Sequence, residues 1–244
     1  MTYQQYCNCI SENLDLKIDD LGFKSDPRYI EILEHLSIKL GEEYLKLIES
    51  KYTLKNIDLF LATITENDKY GKPKKHNFGK NIECSPSNLR YLYHALEILT
   101  HINSLELKKL NILEIGGGYG GLSLFIHRLV SLFPNINLQS YTIMDLENPT
   151  KLQKKYLTAH RIESVNFYTA DQNIQKREYY LISNYCLSEI EPQHFLQYTQ
   201  NVVPMCIHGF LAWNNAHFIY RFSNSQNVEP EDPLTYPGNK IIKF

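Results

Sequence analysis

The stretch Leu113-Glu114-Ile115-Gly116-Gly117-Gly118-Tyr119-Gly120-Gly121 decides the fold. A short, mostly apolar run, 111–115 (NILEI), leads into it and an apolar stretch near 121–132 leaves it, so the glycines stand where a strand gives way to a helix. Without a Cβ, glycine takes positive φ and lets the backbone approach a ligand closely at the carboxyl edge of a sheet. Glu114 is the discriminating residue. A dinucleotide places its pyrophosphate at the helix N-terminus, and a buried carboxylate just before the glycines would repel it.

Outward from the turn, short apolar runs alternate with helical stretches. The runs are 111–115, 138–145 (LQSYTIMD), 165–171 (VNFYTAD), 179–185 (YYLISNY) and 206–214 (CIHGFLAWN). Helices are predicted near 121–132, 149–160 and 192–203. Parallel neighbours need crossover connections, so this alternation predicts an α/β fold with a mostly parallel sheet. In the tail, HFIYRF and NKIIKF suit a final antiparallel pair, completing seven strands. Acids end successive strands: Glu114, then Asp145, then Asp171. S-adenosylmethionine carries no phosphate but has a cationic amino-acid end and a sulfonium, which Glu114 can bind or balance. Asp145 can accept from both ribose hydroxyls, with Leu146 beside it, and Asp171 with Gln172 stands where the adenine amino group is recognised. The expected cofactor residues are therefore Glu114, Gly116, Gly117, Gly118, Gly120, Asp145, Leu146, Asp171 and Gln172, joined by Asn184, Tyr185 and Tyr91. The product would be S-adenosylhomocysteine. A tight turn in a non-binding α/β protein is the bland alternative.

Residues 1–86 read differently. Ile30, Ile32, Leu33, Leu36, Leu40, Tyr44, Leu45 and Ile48 recur at helical spacing. Between Glu66 and Ser87 the chain turns polar around Gly71, Pro73, Gly79 and Pro86, which marks a long loop, either a lid or a connector. Ser87 is the predicted N-cap of a helix running to His101. The division expected is an N-terminal helical segment with its loop, 1–86, and a catalytic domain, 87–244. The 244 residues, 43% hydrophobic and with a net charge of −2, suit one sizeable fold and offer no broad attraction to nucleic acid or an anionic membrane. Five unpaired-looking cysteines, no leader pattern and no bilayer-length apolar run make a cytoplasmic protein the default. No spacing of His and carboxylates indicates a metal.

A wider set of residues resembles one group, the sugar O-methyltransferases that accompany polysaccharide and glycan-modification genes. The resemblance rests on Asn67-Asp68 with Gly71 and Pro73, on Ser85-Pro86 with Leu89-Arg90-Tyr91, and on the run Glu114–Gly121. It continues through Asp145 with Leu152-Gln153 and Tyr156-Leu157, Ser183-Asn184-Tyr185 with Ser188-Glu189, and Glu231-Asp232-Pro233 with Asn239. It covers roughly residues 60 to 244. It implies a Rossmann-like class I S-adenosylmethionine-dependent methyltransferase acting on a sugar hydroxyl, small-molecule or glycan, and allows a homodimer. Another small hydroxyl compound as acceptor, or a cofactor-fold protein that has lost turnover, are the competing readings.

Methylating an alcohol calls for in-line geometry and a base for a weakly acidic proton. Glu189, following the fourth strand, is the first candidate; alternatively it opens the next helix and meets its dipole. His217 is the second, as an imidazole titrating near neutrality or as a structural residue. Asp68 and His76 in the polar loop would reach an acceptor on lid closure. Arg90 and Tyr91 would contact the cofactor's amino-acid end or the acceptor, or else serve in ordinary pairing and packing.

Overall fold

The structure, a computed structural model, describes residues 3–52, 56–214 and 219–244. The chain divides into two compact units. The first joins Met1–Glu106 to Gly118–Asn135 and Glu147–Glu163; the second joins Leu107–Gly117, Ile136–Leu146 and Ser164–Phe244.

The first unit is built of helices α1 (Tyr3–Leu14), α2 (Pro27–Tyr29, continued by a π-helical turn Ile30–Glu34), α3 (Ile38–Lys51), α4 (Ile57–Asn67), α5 (Pro86–Ser104), α6 (Gly121–Leu129) and α7 (Glu147–Ala159). A small hairpin, β1 (His76–Asn77) with β2 (Glu83–Cys84), occupies part of the polar stretch expected as a loop. Helix α5 packs against α3 and α6, and α1 against α7. The α5 cap is Ser85, whose hydroxyl accepts from the Asn88 N–H at 3.3 Å, rather than Ser87. Pro86 explains the shift: its fixed φ and missing N–H suit the first helical position, so the cap falls on the residue before it, Ser85, two residues ahead of the predicted one. Ser87 is itself fully buried.

The second unit holds β3 (Leu110–Ile115), β4 (Leu138–Asp145), β5 (Val165–Thr169), β6 (Tyr179–Asn184), β7 (Cys206–Trp213), β8 (Asn227–Pro230) and β9 (Lys240–Lys243), with short helices α8 (Cys186–Glu189) and α9 (Pro192–Asn201). These seven strands form one sheet in the order β5-β4-β3-β6-β7-β9-β8. The first five are parallel and β9 runs antiparallel to both β7 and β8. This is a Rossmann-like, mostly parallel seven-stranded sheet. The chain steps outward from β3 to β5, then returns to lay β6 against β3. The carboxyl ends of β3 and β6 therefore flank a topological switch point, where open α/β sheets bind ligands.

Near-continuous burial of β3 and β6 matches strands covered on both faces. Strand β4 has the span its sequence predicts, whereas β5 stops at Thr169, two residues before Asp171. The tail departs from expectation. The strand paired with β9 is Asn227–Pro230, not the HFIYRF segment, of which Ile219–Phe222 adopts no strand. There, Tyr220 and Phe222 spend their rings on an aromatic cluster with Phe195, Trp213 and Phe244 instead of on a ladder.

Candidate functional site

Within the second unit, the strand order brings Glu114, Gly116, Gly117, Asp145, Leu146, Asp171, Gln172, Asn184, Tyr185 and Glu189 to the carboxyl edge of one sheet. Glu114 is 3% exposed, and its Oε2 accepts from the Tyr141 hydroxyl at 2.8 Å. Burial pushes its carboxyl up to about 7, with the Tyr141 hydrogen bond opposing and the Asp145 charge adding to the rise. Among the described residues it has no cationic partner. Desolvation on this scale stores a preference for a neighbouring positive charge.

Gly116 has φ +79°, and a Cβ there would fall 2.3 Å from the Cys186 Cβ, so only glycine permits this passage. Asp145 accepts the Leu146 N–H at 2.7 Å, and Leu146 is 45% exposed at the strand's end. Asp171 lies in the turn after β5, exposed, where the Thr169 hydroxyl holds its carboxyl below the ordinary value. Gln172 closes the same turn through its Oε1, which accepts from the Thr169 N–H at 2.9 Å. Asn184 ends β6 with its Oδ1 buried and without a hydrogen-bond partner among the described residues. A buried, unmet acceptor at this edge is what a ligand donor would satisfy.

Tyr185 stands at φ +67°, uncommon for a bulky residue. Two ties hold it there. Its N–H donates to the Ala212 carbonyl at 2.7 Å, and its hydroxyl donates to Glu231, a buried carboxylate that also takes the Thr235 N–H at 3.0 Å. Glu189 is the exposed last residue of α8 and accepts from the Asn214 amide. It therefore does not open the following helix, which begins at Pro192 behind Glu191. The proline sets that boundary, because it is preorganised for the first helical position. His217 lies outside the described residues.

The first unit holds the remaining residues. Gly118 and Gly120 have φ +58° and +93°, and the Gly118 carbonyl accepts from Gln153 at 3.0 Å. Tyr91 is buried, its ring 5.5 Å from that of Tyr119, and its hydroxyl comes within 3.7 Å of a Cβ built on Gly118. Arg90 is 6% exposed, with Nη2 3.4 Å from the Leu33 carbonyl. Asp68 sits not in an open loop but in a buried ion pair with Lys24, its other oxygen taking the Ser85 N–H. His76 is half-buried in the β1–β2 hairpin. Sequence reasoning missed Lys24 and the Tyr185–Glu231 pairing. Neither has a local signal, since 44 and 46 residues separate the partners.

Among the described residues, no group of three His, Cys, Asp or Glu side chains comes together as a metal site, and no helix is long and apolar enough to cross a membrane. No family model and no curated protein matches the sequence. Solved structures do resemble it. One from Listeria monocytogenes, assigned as a class I S-adenosylmethionine-dependent methyltransferase, is 12% identical at TM-score 0.47, covering 98% of this chain and 86% of that one. Another from Galdieria sulphuraria, assigned as a sarcosine dimethylglycine methyltransferase, is 13% identical at TM-score 0.41, covering 52% of this chain. PKMT2 from Rickettsia typhi, in complex with AdoHcy, is 17% identical at TM-score 0.36, covering 50% of this chain. The matches span 48% of the Galdieria chain and 25% of the Rickettsia chain. At such identities the likeness concerns fold, and the chemistry of the site rests on this chain's own residues.

Proposed function

We propose that the chain is an S-adenosylmethionine-dependent O-methyltransferase. The observation that carries this reading is Glu114: a buried acid at the carboxyl end of the central strand, raised by burial and short of a cation, directly before a glycine turn. S-adenosylmethionine, when bound, supplies an electrophilic methyl group on a sulfonium and a cationic ammonium. Glu114 fits that charge, directly or through water, and would regain full ionisation beside it. Asp145 fits a ribose diol at the end of the adjacent strand, and Asp171 with Gln172 an adenine amino group one strand further. The turn passes Gly116 at positive φ, a path only glycine can take because Cys186 fills the space a side chain would need.

On the acceptor side, Glu189 would take the proton of the hydroxyl that receives the methyl group. The Asn214 amide holds the Glu189 carboxylate in place. Tyr185, fixed by Glu231, offers an aromatic edge and a hydroxyl suited to a polyhydroxylated acceptor. A sugar as that acceptor is supported by the sequence resemblance around Ser183–Tyr185 and Glu231–Asn239.

Calorimetry with S-adenosylhomocysteine tests the cofactor reading. Binding with a matching rise in melting temperature is expected; no binding, with no thermal shift, defeats it. A mass-detected methyl gain across nucleotide sugars and free glycans then tests the acceptor, and Glu189→Gln should keep S-adenosylhomocysteine affinity while losing turnover.

A further inference from the structure

The Asn67, Asp68 and Gly71 cluster, part of the resemblance but without an obvious chemical task, has one in the first unit: it receives Lys24. The Lys24 side chain and that of Asp68 are both fully buried. Lys24 Nζ donates to the Asn67 carbonyl at 2.9 Å and lies 3.4 Å from Asp68 Oδ1. Its backbone N–H donates to the Gly71 carbonyl at 3.0 Å. Gly71 has φ +88°, and a Cβ there would meet Lys24 Cγ at 2.8 Å, so the glycine makes room for this lysine.

The same ammonium lies 4.1 Å from the centroid of the Tyr119 ring, a cation–π contact in a desolvated setting. Tyr119 is the side chain between the two left-handed glycines, Gly118 and Gly120. Its hydroxyl donates to Asn67 Oδ1 at 2.7 Å, and the Tyr156 hydroxyl donates to the Asn67 carbonyl at 2.8 Å. The ring is 1% exposed and meets Tyr91 and Tyr156 edge-on. Glycine pairs leave a turn many conformations, and what narrows them here is Tyr119, clamped by Asn67 below its hydroxyl and by Lys24 over its face.

We propose that Lys24 is a positioning residue for the glycine turn. Acting through Asn67 and Tyr119, it holds Gly118–Gly120 in the conformation a bound cofactor meets. This rests on the cofactor reading above.

The test uses the full chain and S-adenosylhomocysteine as probe, with melting curves on every variant. Lys24→Met alone strands Asp68, so the informative form is Lys24→Met/Asp68→Asn, which removes both charges together. This pair should melt close to wild type yet bind S-adenosylhomocysteine roughly tenfold more weakly, and adding Tyr119→Phe should cost less than its effect in the wild-type background. Wild-type affinity in the pair, or full additivity with Tyr119→Phe, overturns the inference. If the pair does not fold, Tyr119→Phe by itself decides: about a threefold or greater loss of affinity supports the clamp, and none removes it. Failure of the wild-type chain to bind the probe is a different result, one that defeats the cofactor reading and this inference with it.

Discussion

Glu114 and Asp68 are both buried carboxylates, 3% and 2% exposed, yet their surroundings are opposite. Asp68 has the Lys24 ammonium on one oxygen and the Ser85 N–H on the other, so its charge is met inside the protein. Among the described residues Glu114 has a phenol and no cation, and burial lifts its carboxyl to about 7. A satisfied buried acid acts as scaffold, while an unsatisfied one at a strand's carboxyl end suits the proposed ligand, which would bring the missing charge. Asp68 and Glu114 look alike in sequence, and the difference between them is what separates support from site.

The largest effect should come from disturbing the satisfied acid. Asp68→Asn leaves Lys24 buried without its counter-charge, and breaking such a pair costs on the order of 3–5 kcal/mol. Urea unfolding should show a lower midpoint at unchanged slope. A loss well under 1 kcal/mol would mean that Asp68 is no better paired than Glu114, and the contrast would dissolve.

The unsatisfied acid should behave in reverse. Its folded pKa is raised from 4.5 to about 7, so the native state keeps the proton longer than the unfolded chain. Its contribution is fully present below pH 4.5 and is lost as pH rises through about 7. Glu114→Gln should therefore be no less stable than wild type at pH 8, and should remove part of the stability decline between pH 5 and about 7.5. Glu34, also pushed up to about 7 by burial, accounts for part of what remains. S-adenosylhomocysteine affinity runs the other way: the ligand's ammonium prefers the ionised carboxylate, so binding should strengthen with pH up to about 7 and level off above it. Calorimetry across that range should show roughly a tenfold loss in Glu114→Gln at pH 8, about 1.4 kcal/mol, with a flatter profile. A variant that binds as well as wild type would make Glu114 a second Asp68.

Much of this contrast was half legible in the sequence. The glycine turn, the β4 span and the acids Glu114 and Asp145 at the ends of β3 and β4 are local patterns, set by neighbours in the chain, whereas Asp171 falls in the turn beyond β5. Legibility failed where partners are distant. Nothing near Asp68 announces that Lys24 will reach it, so an acid in a polar stretch read as an acceptor-binding group. Competing local rules caused the other misses: Pro86 moved a cap to Ser85, and Tyr220 with Phe222 joined a ring cluster where the short separation from the final run suited an antiparallel strand.

Asp171 extends the comparison to an exposed acid, and its effect should be the smallest. The Thr169 hydroxyl lowers its pKa, so it stays ionised through the neutral range and adds no pH dependence there. What it adds is selectivity: a carboxylate accepts from an amino group and repels a carbonyl oxygen in the same place. The wild-type chain should thus prefer S-adenosylhomocysteine to its inosine analogue, which carries a carbonyl at that position. Asp171→Asn, whose amide turns to suit either group, should bind the adenine compound only about threefold more weakly while losing most of the preference. An unchanged preference would show that the adenine is read elsewhere, and that of the three acids only the buried one was built for this ligand.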